Sequence, residues 1–145
     1  MKTIVRNILA CLIGLVVGSG INMGLVIFGP SVVPPPAGVD VTNAESIAAS
    51  MHLFEPKHFV VPFLAHSLGT LFGALTAYVI AENYKSIVAY AVGALFLVGG
   101  IYASTIIPAP AWFIALDVIV AYIPMAWLGT RLGGRLGNGS AVGSP

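Results

Sequence analysis

Four apolar stretches, at about 4–28, 59–81, 86–106 and 111–128, limit what this chain can fold into, because a bilayer crossing needs about 20 helical residues and each stretch meets or approaches that length. Of six Lys and Arg and five Asp and Glu, all but Asp117 lie between these stretches or at their edges. The chain is 58% hydrophobic and 8% charged, against about a quarter charged in soluble domains, which places it in a membrane. Lipid offers the backbone no hydrogen bonds, and continuous apolar runs in so short a chain satisfy it as helices rather than as the alternating strands of a closed barrel. The expected fold is an all-α, four-transmembrane-helix bundle forming one domain over residues 1–136, with the Gly- and Ser-rich 137–145 as a flexible tail.

Charge placement orients the bundle. Lys2, Arg6, Lys85, Arg131 and Arg135 fall at the N-terminus, in the second connection and after the fourth stretch, whereas Lys57 alone falls in the first and third connections. The excess of cations on cytoplasmic segments then predicts an N-in, C-in protein of the inner membrane. Trp112 and Trp127, near the ends of the fourth stretch, suit an aromatic belt. Lys2 and Arg6 before an apolar run that reaches Gly18, Ser19 and Gly20 could also describe a signal peptide. The run continues to Phe28 and offers no clear A-x-A site, so a retained helix is expected.

The long outer connection, 29–58, contains Pro34, Pro35 and Pro36, which favour an extended polyproline course. Beyond it, Thr42 or Asn43 is placed to cap a short amphipathic helix carrying Ile47, Ala48, Met51 and Phe54 at helical spacing, suited to lie over the mouth of the bundle. Pro56 and Pro62 leave the start of the second span open, since each fits a first turn and would kink an interior. Pro124 predicts a kink in the fourth span.

Asp117 is the one charged residue well inside a span, where a carboxylate costs roughly 3 kcal/mol by insertion scales and so calls for a partner or a job. Asn22 lies six residues before the end of the first stretch, His66 seven after the start of the second and Asp117 six after the start of the fourth. All three sit roughly 9 to 10 Å below the outer surface at 1.5 Å per residue. Cys11, Gly14, Gly18 and Asn22 share one helical face, as do His66, Gly69, Thr70, Gly73 and Ala77, and as do Asp117, Ala121 and Pro124. Asn22, His66 and Asp117 are therefore expected to converge as a buried polar cluster, joined by Tyr102, either as a structural network or as a proton or ligand site. Gly14, Gly18, Gly69 and Gly73 are read as packing positions, and Gly20 and Gly24, on the opposite face of the first helix, as a docking face for a second subunit.

Other chemistry is sparse. His52, Glu55 and His58, three apart near the outer surface, form a weak candidate zinc set that Pro56 interrupts. His66 has no facing axial ligand for a haem, and the Gly133 to Gly137 run lacks the Lys-Ser/Thr ending of a phosphate loop. Ser67 does not face His66 along a helix, so it reads as a packing residue rather than a nucleophile. Cys11 has no second cysteine to pair with. No catalytic residue, metal or cofactor is expected. A net charge of +1 without a basic run excludes nucleic acid as a partner and leaves the lipid bilayer and other membrane subunits.

The segments Ser31-Val-Val-Pro-Pro-Pro-Ala-Gly-Val-Asp40, Met51-His-Leu-Phe-Glu-Pro-Lys-His58 and Pro62-Phe-Leu-Ala-His-Ser-Leu-Gly-Thr70 resemble a group of small four-helix inner-membrane proteins of bacteria with no assigned activity. The resemblance implies bacterial origin and topology and carries over no catalytic role. The leading expectation is a non-enzymatic accessory, assembly or structural protein in a homo-oligomer or larger membrane complex. A small transporter or proton-linked channel using His66 and Asp117 is the alternative, and a metal-dependent or lipid-modifying membrane enzyme the third.

Overall fold

A computed structural model describes residues 2–139 and contains six α-helices: α1 Lys2–Phe28, α2 Ala44–Ser50, α3 Val60–Ile80, α4 Lys85–Ile106, α5 Ala111–Val120 and α6 Ile123–Gly139. No strand occurs among the described residues. Four segments, Lys2–Ser31, Pro56–Ile80, Lys85–Ile106 and Ala111–Leu136, are long and apolar enough to cross a membrane, as expected of a multi-pass membrane protein.

α3 is the central element, packed against α1, α4 and α6. Its contact with α1 is made by backbone. A Cβ on Gly14 would stand 2.6 Å from the Gly73 carbonyl oxygen, and one on Gly18 would stand 2.5 Å from that of Gly69. The relation is reciprocal, since a Cβ on Gly69 or Gly73 would meet the carbonyl oxygen of Gly18 or Gly14 at 2.8 Å. Four glycines on matching faces thus let two helices close to a distance that any side chain would prevent, the usual route to helix association where lipid removes the hydrophobic drive. Two further clusters of the core are built from similarly small residues, Ala10, Ala77 and Ala81 with Val88 and Val92 in one and Ala74, Ala89 and Ala126 in the other.

One end of the bundle is tied by polar contacts. Arg6 Nε donates to the Ile80 carbonyl at 2.9 Å, while Asn7 donates to the Asn83 carbonyl at 3.0 Å and accepts from the Glu82 N–H at 3.1 Å. Lys85 lies 5.7 Å from the Tyr78 ring centroid and Arg131 5.1 Å from that of Trp127. The α3–α4 turn there holds Tyr84 at φ +52°, a left-handed conformation that a non-glycine residue adopts at a cost of about 1 kcal/mol.

The fourth span is broken rather than bent. Pro124 has no N–H to donate to the Val120 carbonyl and its ring crowds that group, so α5 stops at Val120 and α6 restarts at Ile123 with the proline in its first turn. The span also continues beyond the expected 128, and α6 runs to Gly139, so 137–139, expected as flexible tail, are helical. The remainder of that tail, 140–145, lies outside the described residues.

The 29–59 segment covers the opposite end of the bundle. Asn43 is the N-cap of α2, its Oδ1 accepting from the N–H groups of Glu45 at 2.8 Å and Ser46 at 3.2 Å. Asp40 braces the approach by accepting from the Thr42 hydroxyl at 2.6 Å and the Thr42 N–H at 2.9 Å, bonds that hold its carboxyl below the ordinary carboxylate pKa. Pro56 opens a 3-10 turn, Pro56–Phe59, that feeds into α3, and Pro62 falls in the first turn of α3, so neither proline kinks an interior.

Candidate ligand cavity and its polar floor

Asp117 is 5% exposed, and its carboxylate is the acceptor around which a polar group assembles. His66 Nδ1 lies 2.9 Å from both Oδ1 and Oδ2, and the Tyr122 hydroxyl donates to Oδ2 at 2.8 Å. Since the carboxylate can only accept, Nδ1 carries the hydrogen, which in the neutral imidazole leaves Nε2 as a free acceptor. The Thr70 hydroxyl closes on the His66 carbonyl at 2.8 Å within the same helix. Three elements meet here: α3 brings His66, α5 brings Asp117, and the break between α5 and α6 brings Tyr122.

The local sequence explains that last placement. At the 121–122 break, the Ala121 N–H still bonds the Asp117 carbonyl at 2.9 Å while the Tyr122 carbonyl already accepts the Ala126 N–H at 2.8 Å. Tyr122 therefore belongs to neither helix, and its ring turns back to stack on His66 at 5.9 Å between centroids, with 28° between planes. Gly100 of α4 leaves the space its hydroxyl occupies, since a Cβ on Gly100 would overlap the phenol oxygen.

Above this group is a cavity of about 260 Å³. His66 and Asp117 lie on its lining, and the histidine side chain keeps 28% of its surface exposed. The walls come from α3, α4 and α5, including Ala103, Ile114 and Val118, and from the 29–59 segment, including Ile47, Met51 and Phe54. The short helix predicted over the bundle mouth thus supplies part of the cavity wall. An aromatic group braces the rim, with Phe59 4.9 Å from Phe113, 5.4 Å from Trp112 and 5.9 Å from Phe54 between centroids. No lysine or arginine lies on the lining among the described residues.

No protein-family model, curated protein or solved structure matches this chain. Its chemistry has to be read from the cavity itself.

Of the residues expected to converge, His66 and Asp117 meet, while Asn22 and Tyr102 do not join them. Asn22 packs its Cβ against Gly69, 3.2 Å from where a Cβ on that glycine would stand, and no hydrogen bond links it to the pair among the described residues. Tyr102 is 65% exposed. Tyr122 takes the expected third place, and depth counting missed it because the count assumes an unbroken helix. Asp117 and Tyr122, five residues apart, would point in different directions along a continuous helix, and only the break lets them meet.

At the rim, His52, Glu55 and His58 do not make a metal site, since no group of three potential ligands able to hold an ion occurs among the described residues. His58 Nδ1 instead accepts the Glu55 backbone N–H at 2.8 Å in a capping box, which leaves its Nε2 as the donor in the neutral ring. The Glu55 carboxylate pairs with Lys57 at 2.9 Å, which holds its carboxyl below the ordinary range. The metal-dependent reading of these residues loses its basis. Ser67 is buried with no partner for its hydroxyl among the described residues. Gly20 and Gly24 have open space beyond their Cα atoms.

Proposed function

We propose that this chain is a small membrane transporter that binds a compact, mainly apolar molecule in the cavity, with the His66–Asp117 pair holding the molecule's polar group and handling protons. The observation that carries this reading is the orientation of His66. A purely structural network would use both ring nitrogens or enclose them, whereas here the carboxylate fixes Nδ1 and the partly exposed imidazole lies on the lining of an apolar cavity. An imidazole oriented by a buried carboxylate is a competent acceptor for a ligand hydrogen or a proton. The 29–59 segment acts as the cover through which the molecule enters or leaves.

The same reading takes the chain as N-in and C-in in a bacterial inner membrane. Arg6, Lys85 and Arg131 lie at the end joined by the Arg6–Ile80 and Asn7–Asn83 contacts, which supports that end as cytoplasmic and the cavity mouth as outward-facing. An accessory subunit in a homo-oligomer or larger complex is the second reading, favoured by the open Gly20 and Gly24 face on α1.

Gentle purification from native membranes tests both. Wild-type protein is expected to carry a small molecule that an Ala103→Trp variant, with its cavity filled, lacks. Recovery of both proteins equally empty, in fixed ratio with a larger complex, sinks the transporter reading and supports the accessory one.

A further inference from the structure

Taking the cavity as a ligand site, as proposed, its charge distribution narrows the ligand class. The Asp117 carboxylate receives hydrogen bonds from His66 and Tyr122, which, with the imidazole in its neutral form, satisfy lone pairs without cancelling charge. Among the described residues, the groups facing His66 and the cavity offer no fixed cation to do so. α3 itself brings Thr70, bonded back to the helix; α4 brings Gly100, Ala103 and Ser104; α1 brings Val26; and the 29–59 segment brings His58 at the rim, with Nδ1 already accepting a hydrogen bond. Among the described residues, the titratable groups at the floor are thus His66, Asp117 and Tyr122. A buried, uncompensated carboxylate is costly in apolar surroundings.

Two species can supply the missing positive charge. A proton on His66 Nε2 gives an imidazolium paired with Asp117, and a cation carrying an N–H can instead donate to the same Nε2 from the cavity. Both use one lone pair, so one excludes the other. An anionic head would sit beside Asp117 with no Lys or Arg to receive it, and a neutral alcohol would satisfy Nε2 while leaving the charge in place.

We propose that the cavity takes a lipophilic primary or secondary amine in its ammonium form, donating an N–H to His66 Nε2, and that this cation and a proton occupy the floor in alternation. No bond is made or broken in the amine. One positive charge enters as one leaves, so the exchange is electrically balanced at the site. The apolar body lies against Ile114, Val118 and Met51. By the scale on which a 150 Å³ cavity accepts benzene, 260 Å³ accommodates roughly ten heavy atoms.

The test is equilibrium binding of radiolabelled octylamine to the full chain in phosphatidylcholine nanodiscs, with partition into empty nanodiscs subtracted, from about pH 6 to about pH 9, where the amine stays protonated. Binding is expected to saturate at one per chain and to weaken by up to about tenfold per pH unit as pH falls, because the proton competes. Octanol and octanoate should not displace it. Asp117→Asn should weaken binding at least about tenfold and flatten the pH dependence. If that variant fails to fold by circular dichroism, His66→Phe provides the same comparison. Saturable binding that octanol displaces equally well, without pH dependence, overturns the amine assignment and leaves the cavity as a ligand site. No saturable binding of any of the three, with Ala103→Trp indistinguishable from wild type, overturns the ligand site and the amine together.

Discussion

Tyr122 stacks on His66 while both rings hydrogen-bond the Asp117 carboxylate, so the two aromatic planes and the two donors constrain one another. Neither ring can turn about its side-chain torsions without breaking a bond to the acid or opening the stack. The geometry fixes the orientation of an imidazole that lies on the cavity lining, which a lone histidine on a helix face would not do.

Substitution at Asp117 separates charge from shape. In Asp117→Asn the amide oxygen can still accept from the imidazole N–H or the phenol, so the fold should persist while the charge is lost. Asp117→Leu leaves two buried donors unpaired, at about 1–3 kcal/mol each. Thermal unfolding in detergent should place Asn near wild type and Leu well below it. Equal destabilisation by both would show that charge itself holds the bundle together.

Tyr122→Phe keeps the ring and removes one hydrogen bond to an ionised group, a loss of about 2 kcal/mol. Gly100→Ala should reach a related state from the other side, because the added methyl would occupy the position of the phenol oxygen. If displacement of the hydroxyl is the cause, the double variant should lose less than the sum of the two single losses in a thermodynamic cycle.

The glycines divide into two groups. Gly18→Ala places a methyl 2.5 Å from the Gly69 carbonyl oxygen and 2.7 Å from the Phe96 ring, and should lower stability by about 1–3 kcal/mol as α1 is pushed off α3. Gly24→Ala meets nothing within 4 Å and should be neutral or stabilising by up to about 1 kcal/mol through helix propensity. Loss of an oligomer on Gly24→Ala in native mass spectrometry would identify a subunit docked on that face.

Asn43→Ala removes the cap that orders α2 and should cost about 1 kcal/mol locally. Hydrogen exchange should quicken in 44–50 and leave α3 unchanged. Faster exchange throughout the bundle would mean that the cover is integral to the core.

Much of the fold follows from apolar run length, because lipid forces each such run to close its own hydrogen bonds, and the matching Gly14, Gly18, Gly69 and Gly73 faces marked the backbone contact between α1 and α3. The pairing of His66 with Asp117 was legible as two ionisable groups at one depth. Tyr122 was not, because its role depends on a backbone break that a period of 3.6 residues hides, although Pro124 carried the signal by releasing the Val120 carbonyl. Asn22 misled for a related reason. Depth and face placed it beside the pair, yet its Cβ packs against Gly69 at the close approach of α1 and α3, and no hydrogen bond joins it to the carboxylate among the described residues.

The backbone contact between α1 and α3 has a mechanical consequence. Two helices held by glycine against carbonyl oxygen have no side chains between them to repack, so they form a stiff unit with a single rest position. Tyr122, by contrast, sits at a joint between two short rods, one bearing the acid and the other leading to the cationic end of the molecule. Because α6 is held to α3 by the same kind of contact, with a Cβ on Gly129 standing 2.9 Å from the Leu71 carbonyl oxygen, it is a tilt of the short α5 about that joint that would draw Asp117 away from the phenol while α1, α3 and α6 stay still. Any alternation of the floor between two occupants then has a natural moving part, the α5–α6 joint, and a natural frame against which it moves.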